Sequence, residues 1–77
     1  MPQTFGDRLI YLRKQKGWSQ KYLASMTMIP APTLNALEHG TRSGEGVAVG
    51  TVKKLARALG VTVDYLTGMY EYDNEGF

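Results

Sequence analysis

The chain has 77 residues, no cysteine and one histidine, which excludes a disulfide framework and a thiolate or zinc site and predicts one small domain without a cofactor. Nothing resembles a signal peptide, and no apolar run approaches the roughly 18 residues of a membrane span, so we expect a soluble cytoplasmic protein. The net charge of +2 divides unevenly, because residues 1–68 hold all nine Lys and Arg with only four acidic residues. A basic body favours a polyanionic partner.

Two capping residues mark the first two predicted helices. Thr4 is a good N-cap, and the apolar positions that follow it recur at helical spacing until Gly17, which predicts a helix over about residues 5–16. Ser19 is a second N-cap and predicts a helix over about residues 20–26. Stability in so short a chain is expected to come from apolar packing and from such helix ends.

A tight turn follows, because proline lacks an N–H and disfavours helical angles in the residue before it. The third helix is predicted from Pro32 to His39, with Gly40 closing it. Two short helices joined by such a turn form the outline of a helix-turn-helix, which indicates a double-stranded DNA ligand. The glycine-rich residues 41–50 predict a flexible connection after it.

The remaining predicted elements are two helices and a tail. Apolar residues at helical spacing from Val52 to Leu59 predict the fourth helix, which Gly60 ends. Thr62 caps a short fifth helix through Leu66. Residues 69–77 are acidic and aromatic without a clear period, so they are expected to be frayed or associated with a dimer.

Several short motifs occur in the order and at the spacing typical of one family. The motifs are Phe5-Gly6-Asp7-Arg8-Leu9, Leu12-Arg13, Gly17-Trp18-Ser19-Gln20, Leu23-Ala24, Thr33-Leu34, Leu37-Glu38-His39-Gly40, Leu55-Ala56-Arg57-Ala58-Leu59-Gly60-Val61 and Asp64-Tyr65-Leu66. They cover residues 5–68, and with them the chain resembles the lambda repressor-like, or XRE, helix-turn-helix family. The resemblance implies an all-α, five-helix DNA-binding domain over residues 1–68 that acts as a prokaryotic or phage transcriptional regulator, as a homodimer.

The resemblance also implies roles for individual residues. Arg13 and Glu38 match a partly buried ion pair that holds the third helix in position. The resemblance matches Gln20 to a phosphate contact, Ala31, Pro32, Thr33 and Ala36 to positions that face base edges, and His39 with the segment after Gly40, which includes Arg42 and Ser43, to further phosphate contacts. Lys21, beside Gln20, is expected to contact a phosphate as well. Thr33 and Asn35 are the nearest polar base readers, if Asn35 turns towards the groove and not towards solvent. The residues expected at a dimer interface are Tyr65, Met69, Tyr70 and Tyr72.

The chain departs from the family pattern at three places. Ala31, Pro32 and Ala36 stand where polar base readers are usual, and they offer only apolar contact, chiefly with a thymine methyl group. Met28 occupies a turn position where glycine is usual, so we expect either a positive φ at a cost of about 1 kcal/mol or more, or a different turn. The glycine-rich connection is about three residues longer than the common form.

The sequence offers two alternatives to DNA binding, an enzyme and a protein-interaction module. A catalytic site is hard to assemble, since the lone His39 has no cysteine and no evident serine and acid to work with. The serious alternative is a protein-interaction module on the same fold, such as an antitoxin or a partner-recruiting subunit. Two features favour this alternative. Ala31, Pro32 and Ala36 can make only apolar contacts with bases, and several apolar and aromatic residues lie outside the clearest core positions.

Overall fold

The computed structural model describes residues 4–40 and 47–68, and within them all regular structure is helical. The five helices are α1 (Phe5–Gln15), α2 (Gln20–Thr27), α3 (Ala31–Gly40), α4 (Val49–Leu59) and α5 (Val63–Thr67). The predicted all-α, five-helix architecture is confirmed. The predicted tail at residues 69–77, together with Arg42, Ser43, Met69, Tyr70 and Tyr72, lies outside the described residues.

Side-chain caps begin three of the helices, as the sequence predicts. The hydroxyl oxygens of Thr4, Ser19 and Thr62 each accept a hydrogen bond from the backbone N–H three residues later, at 2.9–3.0 Å. Gly17 and Gly60, which follow α1 and α4, have φ values of 73° and 74°. Each such cap is worth about 1 kcal/mol, so the boundaries of α1, α2 and α5 follow from local chemistry.

Helix α4 begins earlier than the sequence predicts, at Val49 rather than near Val52. The N–H of Val52 donates to the Ala48 carbonyl at 3.1 Å, which makes Val49 and Gly50 the first turn of the helix. A first turn has no intrahelical partners for its own N–H groups, so a glycine there costs less than one in a helix interior. The third helix likewise begins one residue early, at Ala31.

The helices enclose the core in a closed ring of pairwise contacts. In order around the ring, α1 packs on α3, α3 on α2, α2 on α4, α4 on α5 and α5 back on α1. Every helix contributes an apolar face to the same cluster. Its buried members are Phe5, Leu9, Leu23, Ala24, Ile29, Leu34, Leu37, Val52, Leu55, Ala56, Leu59 and Leu66.

A buried arginine, whose role the sequence does not reveal, fixes α5 against the start of α1. Arg8 is only 6% exposed, and its Nε donates to the Leu66 carbonyl at 2.9 Å. Gly68 has φ +89°, and a β-carbon there would collide with the Arg8 guanidinium. A cation at a helix C-terminus meets free carbonyl groups and the negative end of the helix dipole. Arg8 therefore holds the C-terminal end of α5 in place.

Candidate nucleic-acid interface

The turn between α2 and α3 closes around a strained methionine. Met28 ends α2 with φ 61°, the one positive φ at a non-glycine residue in the described ranges. Its neighbour Ile29 is buried and donates its N–H to the Ala24 carbonyl at 3.1 Å. Left-handed angles cost an L-residue about 1–2 kcal/mol, so the packing of Ile29 holds the turn in this shape. Of the two outcomes expected at position 28, a strained positive φ or a different turn, the structure has the positive φ.

Helix α3 divides into a buried face and an exposed face. Leu34, Leu37 and Glu38 are buried beneath the helix. All the α3 residues predicted to face DNA lie on the exposed side, and they are Ala31, Pro32, Thr33, Asn35, Ala36 and His39. An α-helix with one free face of this kind has the dimensions to enter a DNA major groove.

The middle of the exposed face is poor in hydrogen-bonding groups. With about 100° between successive residues, Pro32, Ala36 and His39 lie roughly opposite Leu34, and they form the central row. Thr33 and Asn35 flank this row on its two sides. Pro32 and Ala36 therefore make most of the central row apolar, with the His39 imidazole at its C-terminal end, and the other polar groups lie at the edges of the face.

A buried ion pair joins α1 to the end of α3. The Arg13 guanidinium donates from Nε to Glu38 Oε2 at 2.8 Å and from a terminal nitrogen to Oε1 at 3.2 Å. The side chain of Glu38 is 1% exposed and that of Arg13 is 12% exposed. Arg13 also donates to the Trp18 carbonyl at 3.0 Å, ahead of α2. This bidentate pair fixes the position of α3 relative to α1 and to the start of α2.

Gln20 extends the ion pair to the outer face of α3. Its Nε2 donates to Glu38 Oε1 at 3.0 Å and to Asn35 Oδ1 at 3.2 Å. An amide nitrogen has two N–H groups, so both donors of this side chain are used within the protein. The sequence does not predict these two bonds from Gln20, because Glu38 lies 18 residues and Asn35 lies 15 residues further along the chain and neither leaves a local signal.

The surface of the helix-turn-helix carries no exposed acidic group. Between Gln20 and Gly40 the one acidic residue is Glu38, which is buried and paired. Lys21 is exposed in the first turn of α2, where backbone N–H groups lack intrahelical partners. His39 is exposed at the other end of the motif, in the last turn of α3. The local field thus favours an anionic ligand.

An apolar groove lies on a different side of the motif, between α2 and α4. It has a volume of about 310 Å³, and its lining residues are Met26, Thr27, Met28, Lys54, Arg57 and Ala58. Met26 is 40% exposed and Met28 is 85% exposed. Tyr65, the predicted interface residue within the described ranges, is half-buried in α5.

Neither a metal site nor a membrane span is present in the part of the chain that the structure describes. No three His, Asp or Glu side chains there are grouped so that they could hold an ion. Across residues 4–40 and 47–68, none of the helices has the length and apolarity required to cross a bilayer.

The helix-turn-helix family model matches residues 9–66. The chain belongs to this family, in its lambda repressor-like or XRE branch, whose members are DNA-binding transcriptional regulators.

Two solved structures are similar to this chain. The restriction-modification controller protein C.AhdI from Aeromonas hydrophila is 35% identical, with a TM-score of 0.70 over 80% of this chain and 89% of its own. The iron(II) form of HppE, determined in complex with substrate, is 25% identical, with a TM-score of 0.71 over 87% of this chain and 36% of its own. This chain is thus similar to about a third of HppE. No curated protein sequence matches the chain.

Proposed function

We propose that this protein is a sequence-specific regulator of transcription that inserts α3 into the major groove of double-stranded DNA. The observation that carries the proposal is the exposed face of α3, which a buried ion pair fixes in position on a surface without exposed carboxylates. The similarity to a restriction-modification controller protein supports a regulatory role in a prokaryote or phage.

Phosphate contacts would supply most of the affinity. The side-chain amide of Gln20 has no free donor in this structure, so the predicted contact there would come from the backbone N–H groups at the start of α2. Lys21 and His39 would add contacts at the two ends of the motif. Arg42 and Ser43 remain predicted contacts, since they follow α3 directly in the sequence.

Choice of sequence would come from the α3 face and from DNA shape. Ala31, Pro32 and Ala36 offer apolar contact that suits a thymine methyl group, and Thr33 adds a hydroxyl. Because these contacts discriminate weakly, sequence-dependent deformation of the duplex would supply part of the specificity.

The regulator would act as a two-fold dimer. A dimer would place the two α3 helices in successive major grooves about 34–36 Å apart. Tyr65 is the described member of the proposed interface, and Met69, Tyr70 and Tyr72 follow it along the chain. Half-sites of matching two-fold symmetry would then be expected in the target DNA.

The test is a titration of labelled duplex DNA at several salt concentrations. Binding should weaken steeply as salt rises, because each phosphate contact steepens the plot of log K against log salt by about 0.9. Lys21→Ala should weaken binding to all sequences and reduce the slope by about 1, without altering thermal stability. If the wild-type chain binds no duplex even at low salt, the proposed function is wrong.

A protein-interaction module is the second candidate, and the groove between α2 and α4 favours it. Two exposed methionines, Met26 and Met28, supply an adaptable apolar surface, and Lys54 with Arg57 adds positive charge beside it. The groove therefore suits a partner segment that combines apolar with acidic side chains. Failure of the chain to bind any duplex at low salt would favour this second function.

A further inference from the structure

The buried carboxylate of Glu38 determines which way the Gln20 amide faces. An ion-paired carboxylate accepts hydrogen bonds and donates none, so the Gln20 atom that lies 3.0 Å from Glu38 Oε1 is the nitrogen. The amide oxygen of Gln20 consequently points away from Glu38. This orientation is set inside the protein, before any ligand is bound.

The fixed amide of Gln20 in turn orients Asn35. The second N–H of Gln20 Nε2 meets Asn35 Oδ1 at 3.2 Å, so the oxygen of Asn35 faces α2 and its amide nitrogen faces away from it. Asn35 is exposed at the edge of the α3 face, beside the row that contains Pro32 and Ala36. Within the described ranges, no side chain or carbonyl accepts a hydrogen bond from that nitrogen. Asn35 therefore presents two free donors at the surface.

We infer that Asn35 reads DNA as a hydrogen-bond donor and that Gln20 is the positioning residue that orients it. The inference rests on the proposed DNA-binding function and adds the chemistry by which Asn35 distinguishes guanine from cytosine. In the major groove guanine presents two acceptors, N7 and O6, whereas cytosine presents an N4 amino donor. A donor at this place favours guanine and disfavours cytosine on the strand that it faces. The neighbouring Pro32 and Ala36 side chains cannot supply this distinction.

The experiment is a selection from randomised duplexes with the full chain and four variants. The wild-type profile should contain a position in each half-site where guanine is preferred over cytosine by about 10-fold. Asn35→Ala and Gln20→Leu should both abolish this preference and leave the other positions unchanged. Lys21→Ala, the matched control in the same helix turn, should keep the whole profile while its affinity falls. Asn35→Asp keeps an acceptor for Gln20 but has no donor, so it should shift the preference towards cytosine.

Each unexpected result would refute a different part of the proposal. A guanine preference that survives in Asn35→Ala would refute Asn35 as the reader, and one that stays unchanged in Asn35→Asp would refute the donor role. Loss of the preference in Asn35→Ala but not in a folded Gln20→Leu would refute the positioning role of Gln20. A wild-type chain that selects no duplex at all would refute the proposed function instead, since no profile would then exist.

Discussion

Replacing Glu38 by leucine is expected to lower the free energy of unfolding by about 3–5 kcal/mol. The substitution leaves the Arg13 guanidinium, which is 12% exposed, beside an apolar side chain with no carboxylate to neutralise it. Gln20 loses its acceptor in the same step. A domain of this size has a stability of about 4–12 kcal/mol, so the variant should lose a large fraction of its stability. Chemical denaturation followed by circular dichroism measures the loss.

The matched control removes both charges together. In Arg13→Met with Glu38→Leu, no charge is left buried, so most of the lost stability should return, because a buried ion pair contributes little net free energy compared with apolar packing. Recovery should be incomplete, since the Trp18 carbonyl and the Gln20 amide each lose a partner. A double variant as unstable as Glu38→Leu would contradict this account of the pair.

Gly6→Ala is expected to destabilise the fold by about 3 kcal/mol or more, because the α3 backbone lies directly against Gly6 of α1. A β-carbon on Gly6 would overlap the Glu38 carbonyl oxygen and lie 2.7 Å from its carbon and 3.0 Å from the Leu37 oxygen. These are backbone atoms of a packed helix, so no side chain can move to make room. Separating the helices would also pull Glu38 away from Arg13.

Gly50→Ala is the control for this prediction, because Gly50 occupies the equivalent second position of α4. A β-carbon at Gly50 meets no atom within 4 Å, so alanine there should be neutral or stabilise the fold by up to about 1 kcal/mol, through the lower entropy of the unfolded chain. The measurement is thermal unfolding of Gly6→Ala and Gly50→Ala, each compared with the wild-type chain. Similar losses in both variants, or no loss in Gly6→Ala, would contradict the contact between α1 and α3 as the cause, because alanine has the higher helix propensity of the two residues.

Sequence patterns predicted the parts of this fold that local chemistry decides. Thr4, Ser19 and Thr62 cap helices with their own hydroxyls, and the glycines after α1 and α4 end them, so those boundaries were predictable. The start of α4 was predicted late, because Val49 and Gly50 belong to its first turn without contributing to its apolar period.

The features that the sequence did not predict depend on contacts between residues that are distant along the chain. Nothing adjacent to Gly6 or Arg8 indicates that one lies against the α3 backbone or that the other is buried at the end of α5. For the candidate site, the family resemblance identified the α3 residues that are expected to face DNA, and the structure leaves these side chains exposed. The sequence could not predict that Gln20 uses both amide donors within the protein, because its partners lie on another helix.

The most direct test of α3 insertion into the major groove is to measure duplex DNA binding at low salt. Three chains are compared, which are the wild type, Ala36→Glu and Arg57→Gln. Both variants lower the net charge by one, but Ala36 lies in the central row of the α3 face whereas Arg57 lies on α4 beside the groove. A carboxylate on the α3 face would be buried unpaired against the DNA, so Ala36→Glu should lose about 100-fold in affinity, or more, while remaining folded. Arg57→Gln should bind within a few-fold of wild type. Equal losses in the two variants, or unimpaired binding by a folded Ala36→Glu chain, would contradict insertion of α3 into the major groove.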